Sequence, residues 1–165
     1  MTRPRYRLFS VCVVVTTVIA DWFSKCYAVR HFENASSVGS VLRGVVAYDA
    51  GYSLDHRVQS WWFLTGVRVV ALGLLSLLWF WRRSWLMATG AGFLLGGLVG
   101  NYLSLTTGSR RIVDFIEVAN YEIFNVADAA SVLGATLCGA SVILGVHERL
   151  RSQRVRVRSG ETTAS

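Results

Sequence analysis

Charge is scarce in this chain of 165 residues, with only 16% Asp, Glu, Lys or Arg, where an ordinary soluble domain has about 25%. Lysine occurs once, at Lys25, and proline once, at Pro4. The three cysteines, Cys12, Cys26 and Cys138, are odd in number and sit inside apolar segments, which excludes a disulfide scaffold. Neither they nor His31, His56 and His147 have metal-ligand spacing, so the cysteines read as packing residues and no metal is expected. There is no Ser-His or Cys-His pair, no HExxH and no phosphate loop, which removes the commonest hydrolase chemistries. With 53% hydrophobic residues the chain is neither disordered nor collagen-like. What remains is a membrane protein of one domain, or at most two small ones. A net charge of +7 would also suit a nucleic-acid binder, but most of the basic residues lie outside the long apolar runs.

Spanning a bilayer takes about 20 mainly apolar residues at a rise of 1.5 Å each. Four stretches qualify: 7–29, 58–81, 85–105 and 124–146. The N-terminus (Arg3, Arg5, Arg7), the turn after the second span (Arg82, Arg83) and the tail (Arg149, Arg151, Arg154, Arg156, Arg158) share one side. They hold ten basic residues against two acids, whereas the other side holds five against six. The positive-inside rule makes both termini cytoplasmic. The fold expected is an all-α integral membrane bundle of four helices, entering and leaving on the inner side. Apolar and aromatic residues continue past Ala20 through Trp22, Phe23, Tyr27 and Val29, so the first span reads as a retained helix, not a cleaved signal peptide. The tail over 149–165 is expected to be disordered, its arginine-rich part solvated against lipid head groups and not a nucleic-acid arm. Gly92, Gly96 and Gly100, and likewise Ser131, Ala135 and Gly139, recur every four residues and predict two small-residue packing faces.

Polar groups inside the spans carry more information, since each costs at least ~2.5 kcal/mol near the bilayer centre unless paired or wetted. Asp21 and Lys25 are four residues apart and share a helix face. They lie roughly 12 and 6 Å below the outer end of the first span. Asn101 lies about 6 Å inside the outer end of the third span, and Asn125 and Asp128 open the fourth. Asp114 stands in the short outer loop, where apolar Phe115 and Ile116 turn it back toward the interface. Topology therefore gathers polar groups from three helices at one depth in the outer leaflet. Arg68, near the middle of the second span, reads as a snorkelling arginine or one paired internally, with Asp21 the partner at hand.

Asp114 and Asp128, on either side of a loop, are able to converge on one water. Two carboxylates held that close share a proton. The ionised one then takes a proton from water while the other protonates a carbonyl, and their titration belongs to the pair. The same residues also read as two interface aspartates that cap a helix or pair with Arg110 and Arg111. Composition and spacing leave both open.

Ile112-Val113-Asp114-Phe115-Ile116 followed by Phe124-Asn125-Val126-Ala127-Asp128-Ala129 resembles the paired VVDFI…FNxAD signature of the lipoprotein signal peptidases, or signal peptidase II. Asp21-Trp22-Phe23-Ser24-Lys25 is similar to the family's DxxxK, and Gly96-Gly97-Leu98-Val99-Gly100-Asn101 to its GGxxGN. The four matches occur in order on the expected helices, over roughly residues 21–145. The resemblance implies an intramembrane aspartic endopeptidase without cofactor. Its substrate would be a prolipoprotein, cut just before a cysteine bearing diacylglycerol. Asp114 and Asp128 match the catalytic dyad, Asn101 and Asn125 the amides that orient it, and Asp21 and Lys25 a supporting pair. Residues 31–55, with Gly39, Val41, Val45, Val46 and Tyr48, correspond to a small extracytoplasmic β element between the first two helices that cradles the substrate. Localisation would be multi-pass in a bacterial inner membrane, with the site toward the outer leaflet. The partners implied are prolipoprotein and membrane lipids, with the protein a monomer.

Two departures stand out. The first-loop NxGAAF-type motif becomes Asp49-Ala50-Gly51-Tyr52-Ser53-Leu54, keeping Gly51 and adding a third carboxylate, Asp49. The family's GNxxDR becomes Gly100-Asn101-Tyr102-Leu103-Ser104-Leu105, losing an Asp and an Arg together. Arg110 or Arg111 is the expected substitute for that arginine. The rival functions are a catalytically inactive homologue that binds lipoproteins or lipid-anchored peptides, and an ion carrier built on Asp21, Lys25 and Arg68. Retention of the two carboxylates beside Asn101 and Asn125 favours the enzyme.

Overall fold

The computed structural model describes residues 3–32, 36–38, 42–49, 84–107, 111–118 and 123–158. The described residues contain three helices long and apolar enough to cross a membrane. They are α1 (Arg3–His31), α2 (Trp85–Thr106) and α3 (Val126–Arg158). The expected second span, 58–81, lies outside the described residues, and Arg68 with it.

Much of α1 is β-branched, a composition that weakens helices in water. In hydrocarbon a helix is favoured regardless, because it satisfies every backbone group within the segment. The Thr16 and Thr17 hydroxyls follow the same logic, donating back to Cys12 O and Val13 O at 2.8 Å. Leu8, Val11, Val15, Ile19, Trp22 and Phe23 face outward, as suits a helix whose surroundings are apolar. α2 begins where Ser84, in extended conformation, accepts the Met87 N–H on its hydroxyl, an N-cap. That hydroxyl also meets Ser141 Oγ of α3 at 2.9 Å, tying the two helices at this end.

α2 lies between the other two helices and uses a different glycine row for each. Gly92, Gly96 and Gly100 take α1: a Cβ on each would lie 2.6–2.8 Å from Val13, Thr17 and Asp21 respectively. Gly90 and Gly97 take α3, where added methyls would strike Cys138 and the Ala127 carbonyl. Such close approach is how helices gain dispersion contacts where lipid offers no hydrophobic drive. On α3 the packing face keeps Ser131 of the expected row, which meets Gly97 of α2, and departs from it beyond. Gly139 has nothing within 4 Å among the described residues, and Ala135 is exposed. The buried row is instead Ala127, Gly134, Cys138 and Ser141. A strict four-residue step drifts about 40° per repeat around a 3.6-residue helix, so mixed steps of three and four hold the seam. Toward the Ser84 end, Met87, Ala91 and Cys138 form a small apolar core, with Leu94 and Val142 against it.

A four-stranded antiparallel sheet, in the order β1-β2-β3-β4, caps the other end. Its strands are β1 (Ser36–Val38), β2 (Leu42–Asp49), β3 (Ile112–Val118) and β4 (Ile123–Phe124). Val45, Val46 and Tyr48 fall on β2 as expected, while Gly39 and Val41 lie outside the described residues. The sheet is larger than an element confined to one loop, because β3 and β4 join it from the segment between α2 and α3. Asp114 is therefore a strand residue, not a loop residue: β2 supplies its ladder, with Ala47 opposite Asp114, and apolar Ile112 and Phe115 are buried around it. α3 also departs from expectation at both ends. Phe124 belongs to β4 and Asn125 precedes the helix, while the helix runs on through Arg158, so 149–158 is helical where a disordered tail is expected.

Candidate active site

The site forms where β4 hands over to α3. Asn125 Oδ1 accepts the Asp128 N–H at 2.9 Å, and Asp128 Oδ2 accepts the Asn125 N–H at 3.2 Å. This reciprocal capping box fixes the first turn of the helix. It also fixes Asp128 at the positive end of the helix dipole, where a carboxylate is favoured.

β3 and β4 pair through Ile116 with Phe124, and continuing that register sets Asn125 beside Phe115, next to Asp114. Asn125 Nδ2 donates to Asp114 Oδ1 at 2.5 Å and to Asn101 Oδ1 at 3.1 Å. Asn125 is completely buried, and its two amide protons and its carbonyl oxygen are all engaged. One asparagine thus bridges the two carboxylates that sequence analysis pairs. Asn101, from α2, adds its own Nδ2 to Asp128 Oδ1 at 2.8 Å.

Beneath lies the α1 pair. Lys25 Nζ meets Asp21 Oδ2 at 2.7 Å, with both side chains almost wholly buried. Removing one member of such a pair strands a charge, an error worth about 3–5 kcal/mol. Asp21 Oδ1 accepts the Ala127 N–H of α3 at 2.9 Å, so the carboxylate links α1 to the α3 N-terminus as well as to Lys25. Gly100 makes this possible, since its missing methyl would press on Asp21 Oδ2.

Six of the expected site residues, Asp21, Lys25, Asn101, Asp114, Asn125 and Asp128, therefore fall in one hydrogen-bonded network. Asp21 is paired with Lys25; Arg68 lies outside the described residues. Asp49 stands at the end of β2 opposite Ile112. Gly51 and Arg110 lie outside the described residues, and Arg111 is exposed just before β3. Sequence reasoning missed Ser104, whose Oγ takes a third Lys25 proton at 3.1 Å, and the Ala127 N–H. Ser104 registers in the sequence as the loss of a family carboxylate. The four-residue step from Gly100, which puts it on the Asp21 side of α2, was the signal available.

A family model described as signal peptidase (SPase) II matches residues 13–144. A lipoprotein signal peptidase of Mycobacterium avium (strain 104) is 32% identical over 156 residues, covering 87% of this chain and 84% of its own. That of Mycobacterium leprae (strain Br4923) is 29% identical over 150 residues, covering 84% and 72%. A solved bacterial membrane enzyme, 18% identical, shares the fold with a TM-score of 0.65 over 94% of this chain and 93% of its own. The match extends across both carboxylates and the helices that carry them, and the chain belongs to the signal peptidase II family.

Proposed function

We propose that the chain is an aspartic endopeptidase that removes signal peptides from prolipoproteins, cutting before a cysteine that carries diacylglycerol. The observation that carries this reading is the bridging of Asp114 and Asp128 by Asn125. In this reading the two carboxylates share a proton. The ionised member accepts a proton from water as its oxygen attacks the scissile carbonyl, and the protonated member delivers its proton to the carbonyl oxygen. Collapse of the resulting tetrahedral adduct breaks the C–N bond: the departing nitrogen takes a proton from the carboxylate that gained one, and a hydroxyl of the adduct returns its proton to the other carboxylate, which restores the dyad. Asn101 and Asn125 orient the pair, and Asp21 and Lys25 hold α1 and α3 together beneath it. Asp49, Gly51, Arg110 and Arg111 belong to the substrate side, one of the arginines serving in place of the family arginine. The names of the relatives, lipoprotein signal peptidases, support the substrate class.

The reading includes a fourth span over 58–81, both termini in the cytoplasm and the sheet on the extracytoplasmic side. The protein would act as a monomer in a bacterial inner membrane, its dyad in the outer leaflet. A substrate anchored by its lipid presents its scissile bond at that depth.

The test is cleavage of a diacylglyceryl-modified prolipoprotein by the purified protein in detergent, followed as a gel shift. The parent chain is expected to cleave, while Asp114→Asn and Asp128→Asn each lose at least about 1,000-fold. Cleavage retained by both variants overturns the dyad. A folded parent that leaves intact a substrate processed by an active relative overturns the function.

A further inference from the structure

Lys25 carries three ammonium protons, and each has an acceptor: Asp21 Oδ2 at 2.7 Å, Asn101 Oδ1 at 2.9 Å and Ser104 Oγ at 3.1 Å. An ammonium only donates, so the Asn101 atom that faces it has to be the carbonyl oxygen. The reverse orientation would set N–H groups against N–H groups. With Oδ1 held by Lys25, the Asn101 Nδ2 turns to the other side, where Asp128 Oδ1 receives it at 2.8 Å. Ser104 is oriented in the same way. Its hydroxyl proton goes back along the helix to Gly100 O at 3.0 Å, which leaves an oxygen lone pair for Lys25. Of the three acceptors only Asp21 is charged, so the pull of the ammonium is shared with two neutral oxygens and Asn101 keeps its portion.

We propose that Lys25 and Ser104 are positioning residues that act on Asp128 through Asn101, Ser104 by fixing the ammonium and the ammonium by fixing the amide. The inference rests on the reading of Asp128 as a catalytic carboxylate. Ser104 is its sharper probe, since Lys25→Met strands Asp21 whereas Ser104→Ala leaves every charge in place.

The experiment is a double-mutant cycle on the full chain in detergent, with kcat and KM for the same prolipoprotein substrate. Loss of a hydrogen bond to a charged group predicts a fall in kcat of about 10-fold for Ser104→Ala, and about 100-fold for Lys25→Met, which leaves Asn101 Oδ1 to the neutral Asn125 amide alone. KM is expected to stay within about 2-fold, because the interaction orients a reacting group and not the substrate. Ser104→Thr keeps the hydroxyl and is expected to restore kcat to within about 2-fold of the parent. The double variant is expected to be no slower than Lys25→Met alone, since Ser104 acts only through Lys25. Multiplying losses in the double variant, or a raised KM at unchanged kcat for Ser104→Ala, overturn the proposal. Should the parent not cleave, the functional reading falls, and the same cycle read on Tm still decides the relay: sub-additive shifts uphold it, additive shifts overturn it.

Discussion

The two ends of the α2–α3 seam solve one packing problem with opposite chemistry. Toward Ser84 the helices close on Met87, Ala91 and Cys138, and the polar element at their ends is the hydroxyl pair Ser84–Ser141. Toward Thr106 the same two helices close on Asn101, Asn125 and Asp128, with Asp21 and Lys25 brought in from α1. Glycine serves both ends, but at Gly90 it admits a neighbouring backbone and at Gly100 it admits a carboxylate. Small residues thus allow close approach without deciding what approaches. The site arises where the apolar stretches end, because only there do three elements bring hydrogen-bonding groups to one level. One end of the seam is held chiefly by packing, and the other by a polar network that also sets geometry.

Substitutions can separate these two roles. The largest effect is expected at the polar end, for Asn125→Ala. It removes the N-cap, worth about 1 kcal/mol, a bond to the Asp114 carboxylate worth about 1.5–3 kcal/mol and a neutral bond to Asn101 worth about 1 kcal/mol. Cleavage by the folded fraction, measured below the lowered Tm, should fall by at least about 1,000-fold; folded protein that keeps its activity would merge the two ends. Next comes Met87→Ala at the apolar end, a completely buried side chain. The cavity should lower stability by about 2–5 kcal/mol, measured by thermal unfolding in detergent, while kcat at low temperature stays within about 2-fold for the folded fraction. The smallest effect belongs to Gly139→Ala, where a methyl meets nothing within 4 Å among the described residues; a change beyond about 0.5 kcal/mol would mean the face is occupied.

Residues whose chemistry conflicts with their surroundings were the ones legible in the sequence. Asp21, Lys25, Asn101, Asn125 and Asp128 are polar interruptions of apolar runs, and an intramembrane polar group requires a partner. Helical period and length placed α1 and α2 nearly to their ends. Groups that do not look out of place were hidden. Ser104 is ordinary in a helix, since a hydroxyl can bond back to the preceding turn, and its second bond, to Lys25, depends on how α1 and α2 cross. The Ala127 N–H has no side-chain signature at all. β3 escaped because Ile-Val-Asp-Phe-Ile lacks the polar alternation that marks a half-exposed strand, and the ladder that makes it a strand lies with β2, far away in sequence. The face of α3 agrees with an interval of four only at Ser131, because a fixed step of four drifts off the seam and packing mixes three and four.

Asn125 is both the bridge between the two carboxylates and the residue that starts α3. The spacing of the proposed dyad and the first helical turn are in consequence one cooperative unit. Helix ends are where local opening begins, so each fraying of residues 125–128 also dismantles the dyad, while the span below stays folded. Heating should therefore extinguish activity ahead of the melting of the bundle. Amide exchange at Ala127 and Asp128, not the global transition, should follow the lifetime of the working enzyme.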